Sequence, residues 1–339
     1  MKTAILKNTP AVFLIFSILT LSVISCNETS ESGFFNSSTS LSRLKPQAKQ
    51  IVRDGLYDPD PAVRTNAIEV AGTCRVIEFM QRVEQMLQDE FVPVRFSAAL
   101  AIGDCKYTQA KNSLNTLLRL MDENTRIAAA YALYRLGDDE KISIIAQAIT
   151  SKDTIVRANS AFLLGKAGDK STLKLLYWAM DDPDSDEKVR FQAAEAIARL
   201  GDEKIYPKLW TLILNVNTDD RILGVYSMGA LGTKQAQGAL TTQLADPVVE
   251  VRLVAAEQLG RLGNTTGQPE VLDVFTNNLN EEQIDDARME RIYHLAALAI
   301  GEIKTPTLVE YLPKLLKNKS KFVSLAAAKA VLQCQTEQD

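Results

Sequence analysis

Few residues in this 339-residue chain are suited to chemistry: one histidine, four cysteines and a few adjacent carboxylates. A histidine can act as a base or a metal ligand, but His294 would act alone, because no His/Cys cluster with metal-ligand spacing occurs. Asp219-Asp220 and Asp285-Asp286 are adjacent carboxylates of the kind used for acid and base work. Arg221 and Arg288 follow close behind, which favours solvated helix ends instead. No phosphate-cradling glycine loop and no nucleophile elbow is present. The residues therefore predict no catalytic site, no metal and no cofactor.

The elements that carry these residues are ordered by an arginine that returns at Arg64, Arg95, Arg126, Arg157, Arg190, Arg221 and Arg252. Successive gaps are 31, 31, 31, 33, 31 and 31 residues, and the phase continues to Tyr293 after 41 and Ser324 after 31. Such a period means stacked supersecondary units. The residue before the anchor is Val94, Val156, Val189, Val251 or Ile292. Small pairs such as Ala98-Ala99, Ala129-Ala130 and Ala193-Ala194 follow at +3 and +4, and Ile102, Leu133, Leu164 and Leu259 stand at +7. These offsets lie on one helical face. At +8, Gly72, Gly103, Gly165, Gly229, Gly260 and Gly301 remove even a methyl group.

A glycine at +11 (Gly137, Gly168, Gly201, Gly232, Gly263) fits a left-handed helix end. Asp138, Asp169, Asp202, Thr233 or Asn264 then offers an N-cap. A second helix follows, with apolar residues at +19 and +23, as in Leu114 and Leu118 or Leu240 and Leu244. Each unit is a helical hairpin that buries its apolar face only against its neighbours. Period-two alternation is absent, so no sheet is expected.

The pattern D-x-x-x-x-V-R-x-x-A-A-x-A-L-G, as in Asp89, Val94, Arg95, Ala98, Ala99, Leu100 and Gly103, resembles the HEAT-like repeats of the short form first named from phycobilisome lyases. The resemblance covers residues 41–339. It implies an all-α fold, a right-handed α-α superhelix of about nine 31-residue hairpins whose second helices line the concave side. It also implies a ladder in which an aspartate six residues before the arginine pairs across neighbouring units. The matching residues are Asp58, Arg64, Asp89, Arg95, Asp184, Arg190, Asp246 and Arg252. Leu120, Ser151, Asn215, Ala287 and Asn318 take the aspartate's place elsewhere, so a broken ladder is expected, with some arginines capping carbonyls. The lyases' chromophore chemistry is not carried over, since only the scaffold matches.

Residues 1–25 read as a lipoprotein signal peptide. Lys2 and Lys7 precede an apolar stretch, Ala11 to Ile24, that is short for a membrane span and ends in a lipobox-like Leu21-Ser22-Val23-Ile24-Ser25-Cys26. Cys26 is the expected lipid-attachment residue, and residues 26–40 the expected flexible linker. The expected location is the bacterial cell envelope, anchored to a membrane. Net charge is −4, and −6 without Lys2 and Lys7; with no basic patch, a nucleic-acid partner is not expected. Nor is a small-molecule substrate. Cys74, Cys105 and Cys334 share offset +10 with Leu136, Leu200 and Leu262, which predicts buried free thiols. Neighbouring units lie about 8–10 Å apart, and a disulfide needs Cα atoms within about 7 Å. His294 stands at +1, an apolar slot in units with Phe96, Ile127 or Leu253, and is expected in or near the core.

Comparison of equivalent offsets also singles out a surface. At +20, Glu84, Asn115 and Thr241 mark a polar slot that holds Tyr177 and Trp210 in units four and five. At +21 the polar slot holds Trp178, and Leu214 occupies a +24 slot that is Gln88, Arg119 or Asp181 elsewhere. Tyr177, Trp178, Trp210 and Leu214 form the candidate strip for another protein or peptide, expected on the concave face. Leu100, Tyr131 and Phe162 at +5, where other units carry Glu69, Glu195, Glu257 or Lys329, are expected as a convex apolar strip. The reading is a membrane-tethered, non-catalytic protein-binding scaffold. A lyase or hydrolase with an unrecognised site, or a purely structural envelope lipoprotein, are the alternatives.

Overall fold

A computed structural model describes residues 34–119, 122–276 and 285–334. The side chains of 34–40, the lipobox with Cys26, and the Asn280-Glu281-Glu282-Gln283 segment lie outside the described residues. Among those described there is no strand, and no helix is long and apolar enough to cross a membrane.

The first described helix is α1 (Phe34–Gly55), which takes in the last residues of the 26–40 segment expected as linker. Then follow α2 (Pro61–Thr73), α3 (Met80–Gln85), α4 (Val92–Asp104), α5 (Lys111–Leu117), α6 (Glu123–Arg135), α7 (Ile142–Ala148), α8 (Thr154–Ala167) and α9 (Leu173–Asp181). The second half comprises α10 (Glu187–Arg199), α11 (Tyr206–Ile213), α12 (Thr218–Leu231), α13 (Lys234–Gln243), α14 (Val249–Arg261) and α15 (Gln268–Thr276). The last are α16 (Asp286–Ile303), α17 (Pro306–Val309), α18 (Leu312–Leu315) and α19 (Lys321–Gln333). The first helices of the nine units are α2, α4, α6, α8, α10, α12, α14, α16 and α19.

Local signals set the boundaries. Asp60, Asp122, Asp153, Asp186, Asn217 and Ser320, each four residues before an anchor, cap the first helices by accepting from N–H groups of the first turn. Among the described residues the +11 position is left-handed in units one to eight: Gly137, Gly168, Gly201, Gly232 and Gly263 have φ between +64° and +95°. Arg75, Lys106 and Lys304 hold the same conformation at φ 50°, 52° and 58°. Before Tyr293 the insertion lengthens the first helix to 18 residues, starting at the cap Asp285.

Glycine at +8 governs curvature. A Cβ on Gly72, Gly103, Gly165 or Gly301 would lie 2.6–2.8 Å from Ala101, Ala132, Ala196 or Ala330, the +6 alanine of the next unit. First helices thus approach more closely than side chains elsewhere allow, and the stack bends with first helices inside. The bend brings the ends together. α19 packs against α16 on one side and against α1 and α2 on the other. Lys321 Nζ meets Asp58 Oδ2 at 2.6 Å, and Cys74 Sγ lies 3.7 Å from the Lys329 carbonyl oxygen. Pro46 stands 18 residues before Arg64, as Pro306 does before Ser324, so the latter half of α1 fills the second-helix slot of unit nine. Ala48, Val52 and Leu56 are fully buried there. The superhelix is a closed ring, and the apolar edge left by α19 is capped by the chain's own first described helix.

Candidate interaction site and the ring interior

The anchors sit on the rim formed by the N-termini of the first helices. Arg64 donates through Nη1 to the carbonyls of Asp58 and Pro59, and through Nε and Nη2 to both carboxylate oxygens of Asp89, each at 2.9 Å. Arg95 repeats this on the Asp89 and Glu90 carbonyls, with Asp122 at 3.0 Å in place of an offset −6 aspartate. Burial alone would raise the carboxyl of Asp89, but the Arg64 bonds hold it below the usual range. Arg221 caps Asn215 and Val216 and pairs with Asp246, while Arg252 caps Asp246 and pairs with Glu270 at 2.8 Å. Asp58, lacking a preceding unit in sequence, is reached by Lys321 across the closure. In the turn with two extra residues, Asp184 takes part through its backbone carbonyl, which accepts from Arg157 at 2.9 Å. Arg190 there caps the carbonyls of Asp182, Pro183 and Ser185. The longer loop supplies a carbonyl to Arg157 where the turns that follow Arg64, Arg95 and Arg221 supply a carboxylate.

The interior differs from the expectation. Leu100, Tyr131 and Phe162 are buried, as are Glu195, Tyr226, Glu257 and Lys329 at the same +5 offset. They point into the ring, so the convex strip expected at +5 does not exist. The +9 residues, one turn on, join them. Asp104 of unit two pairs with Lys166 of unit four at 2.8 Å, and Tyr131 of unit three donates to Asp104 at 2.5 Å. Units two apart meet only if the first helices line the inside. Hence the second helices face outward, and the concave face expected to hold a partner is filled by side chains.

The centre is ionic and closely balanced. Glu195 pairs with Arg199 at 2.5 Å, Lys329 with Glu69 at 3.6 Å, and Tyr226 donates to Glu257 at 3.5 Å. Burial pushes the Glu257 carboxyl up to about 7, despite Lys329 nearby. Burial lowers the Lys166 ammonium below the usual lysine range, and Asp104 only partly restores it. At Lys329 burial is outweighed by Glu69, Glu257 and Glu302, and its ammonium is raised. Sequence reading missed this centre because charges at +5 look solvated when units are compared singly. The available signal was charge pairing at +5 and +9 of one helix, as in Glu195/Arg199 and Glu257/Arg261.

Candidate chemical groups are quenched. His294 packs beside α19 with Nδ1 3.2 Å from the Phe322 carbonyl oxygen, and burial pushes its pKa down to about 4. Cys74, Cys105 and Cys334 are free. Burial pushes the thiols of Cys74 and Cys105 up to about 12. Among the described residues no group of three or more His, Cys, Asp or Glu side chains is placed to hold a metal.

On the outer face, Trp178 and Trp210 are 46% and 37% exposed, and Leu214 and Val216 are 59% and 97% exposed. Trp210 stacks on Tyr206 with ring centroids 6.1 Å apart. Tyr177 is half-buried and its hydroxyl donates to Asp202 at 3.3 Å, so it supports the strip from below.

Helical hairpins, glycine-tightened first helices and an arginine-capped rim define an all-α superhelical repeat protein. The HEAT-repeat family matches residues 80–158 and 142–227, so the middle of the chain is built of HEAT repeats. A curated relative, deoxyhypusine hydroxylase of Danio rerio, is 25% identical over 116 residues, 34% of this chain and 36% of the relative. The chain thus matches about a third of that protein's length. The solved complex of CpcE and CpcF of phycocyanin lyase from Nostoc sp. PCC7120 is similar at 18% identity and a TM-score of 0.44, covering 82% of this chain and 98% of that one. Human deoxyhypusine hydroxylase is similar at 17% identity and a TM-score of 0.38, covering 78% and 99%.

Proposed function

We propose that this chain is a bacterial lipoprotein, tethered through Cys26 to an envelope membrane, whose ring is a non-catalytic platform for another protein. Docking is on the outer face of units four and five, through Trp178, Trp210 and Leu214, with Tyr177 beneath. The observation that carries the reading is the exposure of both tryptophans on adjacent second helices. Tryptophan and tyrosine dominate interface hot spots, and clustered apolar exposure marks interaction surfaces. The filled interior supports an outer site. The hydroxylase and lyase likenesses lie in the repeats, which host many functions.

Crosslinking in living cells tests the reading, with the native protein compared with the Trp178→Ala/Trp210→Ala variant. A defined partner should be captured by the first and lost with the second. The variant should stay folded but lose some stability, since each tryptophan is less than half exposed and Trp210 stacks on Tyr206. Equal capture by the folded variant refutes it.

A further inference from the structure

We infer that the ring's opening on the rim where the first helices end binds a doubly charged oxyanion of the phosphate class, held by Arg135 and Arg261 with Arg199 between them. The charges inside the ring balance in number but not in place. At +9, consecutive units three, four and five carry Arg135, Lys166 and Arg199, and unit seven carries Arg261. The carboxylates at that offset, Asp104 and Glu302, stand at either end of the run, in units two and eight. The three arginines are half-buried, whereas Tyr131, Glu195 and Glu257 at +5, one turn below, are buried. The +9 layer therefore floors an opening that ions reach from solvent.

Two of the four cations are already matched. Lys166 pairs with Asp104 at 2.8 Å and Arg199 with Glu195 at 2.5 Å, and the second Asp104 oxygen accepts from Tyr131. Among the described residues neither Arg135 nor Arg261 forms an ion pair, and the Arg135 Nε is buried with no hydrogen-bond partner. Buried donors are paired in the great majority of cases, so one left over requires a reason. The carboxylates that face Arg261 do not supply its partner. Glu302 accepts from Gln333 at 3.0 Å, and Glu257, pushed up to about 7 by burial, is half protonated at neutral pH.

The cations also act on one another. Burial lowers both Lys166 and Arg261, Arg199 lowers both further, and Arg135 adds to the effect at Lys166. Four cations with two carboxylates in contact leave a surplus of two charges. A dianion with several oxygens closes that gap, because guanidinium forks meet phosphate bidentately and such charge-assisted bonds are the strong ones. A single carboxylate would leave one arginine unmatched. Unit six provides space, since its +9 residue is Ala230, between Arg199 and Arg261 in the order of the stack.

Inorganic phosphate is titrated into the full chain at constant ionic strength, with binding read by calorimetry and by the thermal midpoint, which rises with any ligand that prefers the folded chain. One phosphate per chain should bind. Arg135→Gln/Arg261→Gln should weaken it about tenfold or more, while Lys152→Gln, on the opposite rim, should not change it. The glutamine variant sheds two unmatched charges and should stay folded. Arg135→Lys/Arg261→Lys, which keeps the charge and loses the fork, guards against the contrary and should bind several-fold more weakly than the native chain. Glycerol phosphate separates the sources: if it displaces inorganic phosphate at similar concentration the opening takes phosphomonoesters, and if it does not the ligand is the free ion. No saturable binding overturns the proposal, as does equal binding by the folded glutamine variant. A midpoint rise matched by chloride also overturns it, because that is screening alone.

Discussion

Asp104→Ala should destabilise the ring far more than a surface carboxylate would. The Asp104–Lys166 pair is 2.8 Å long, with side chains 4% and 2% exposed. At an effective dielectric near 20 the attraction is about 6 kcal/mol, but desolvation costs several kcal/mol per ion. Burial lowers the Lys166 ammonium and Asp104 restores it only in part, and for a buried pair desolvation offsets most of the attraction, so little net stability is expected from it. Breaking it is another matter. Without Asp104 the buried Lys166 ammonium faces Arg135 and Arg199, and the Tyr131 hydroxyl loses its acceptor. The expected loss is about 3–5 kcal/mol. Asp104→Leu combined with Lys166→Met should lose much less, and with Tyr131→Phe added the chain should be near neutral or more stable. Urea unfolding of the two single variants and the double variant gives the coupling energy, expected above about 2 kcal/mol. In an open stack, units two and four would lie about 16–20 Å apart, two helix spacings, and the effects would add. Coupling below about 0.5 kcal/mol would therefore refute the inward curvature, and with it the filled interior.

Other expectations follow from the same packing. Glu257, raised to about 7 against 4.5 unfolded, binds its proton more tightly when folded, so it lowers stability as pH rises from about 4.5 to 7. His294, lowered to about 4 against 6.5, does the opposite, raising stability as pH rises from about 4 to 6.5. Urea midpoints of the native chain should be nearly flat over the shared window; Glu257→Gln should rise with pH and His294→Leu should fall, and parallel profiles would contradict the assignment. Gly165→Ala, whose Cβ would lie 2.6 Å from Ala196, should lose about 1–3 kcal/mol in thermal unfolding. Gly238→Ala, in α13 with nothing within 4 Å, should gain about 0.5–1 kcal/mol. Cys74 should resist iodoacetamide at pH 8 until the chain is unfolded, as its thiol is held near 12.

Most of the fold was legible because its determinants are local. The anchor, the small pairs, the +8 glycine and the +11 left-handed turn each act within a hairpin or between adjacent hairpins, and all recur in phase. The arginine's double role was legible in part: the pairing with Asp89 and Asp246 follows the aspartate pattern, whereas Asp122 and Glu270 come from other offsets and show only in three dimensions. The caps four residues before the anchors were missed, although Asp60, Asp122, Asp153 and Asp186 stand in phase. Comparing equivalent slots singles out Trp178 and Trp210 as water-facing, and both keep part of the ring surface exposed, though on the outer rather than the concave face. The +5 positions show where that comparison breaks down. Glutamate or lysine at a repeated offset implies water only if the stack is open, and curvature is a sum over units that no single unit displays.

Closure also changes what the repeats can do. An open stack offers a concave groove and two ends, and its stability is a sum of neighbour terms. Here the glycine-to-alanine contacts of successive first helices draw the interior shut, and opposite charges from units one to nine neutralise one another there. α1, sharing Pro46's offset with Pro306, completes the unit whose first helix is α19. Each unit then has two neighbours, so an interface lost anywhere opens the same ring and exposes the same buried charges. Groove binding is removed by the same packing, which leaves the outer second helices and the two rims as surfaces on which the sequence varies freely. Trp178 and Trp210 lie on the first of these, and Arg75, Lys106 and Lys304 on the second. At each of these positions the chain departs from the residue type that other units carry at the same offset.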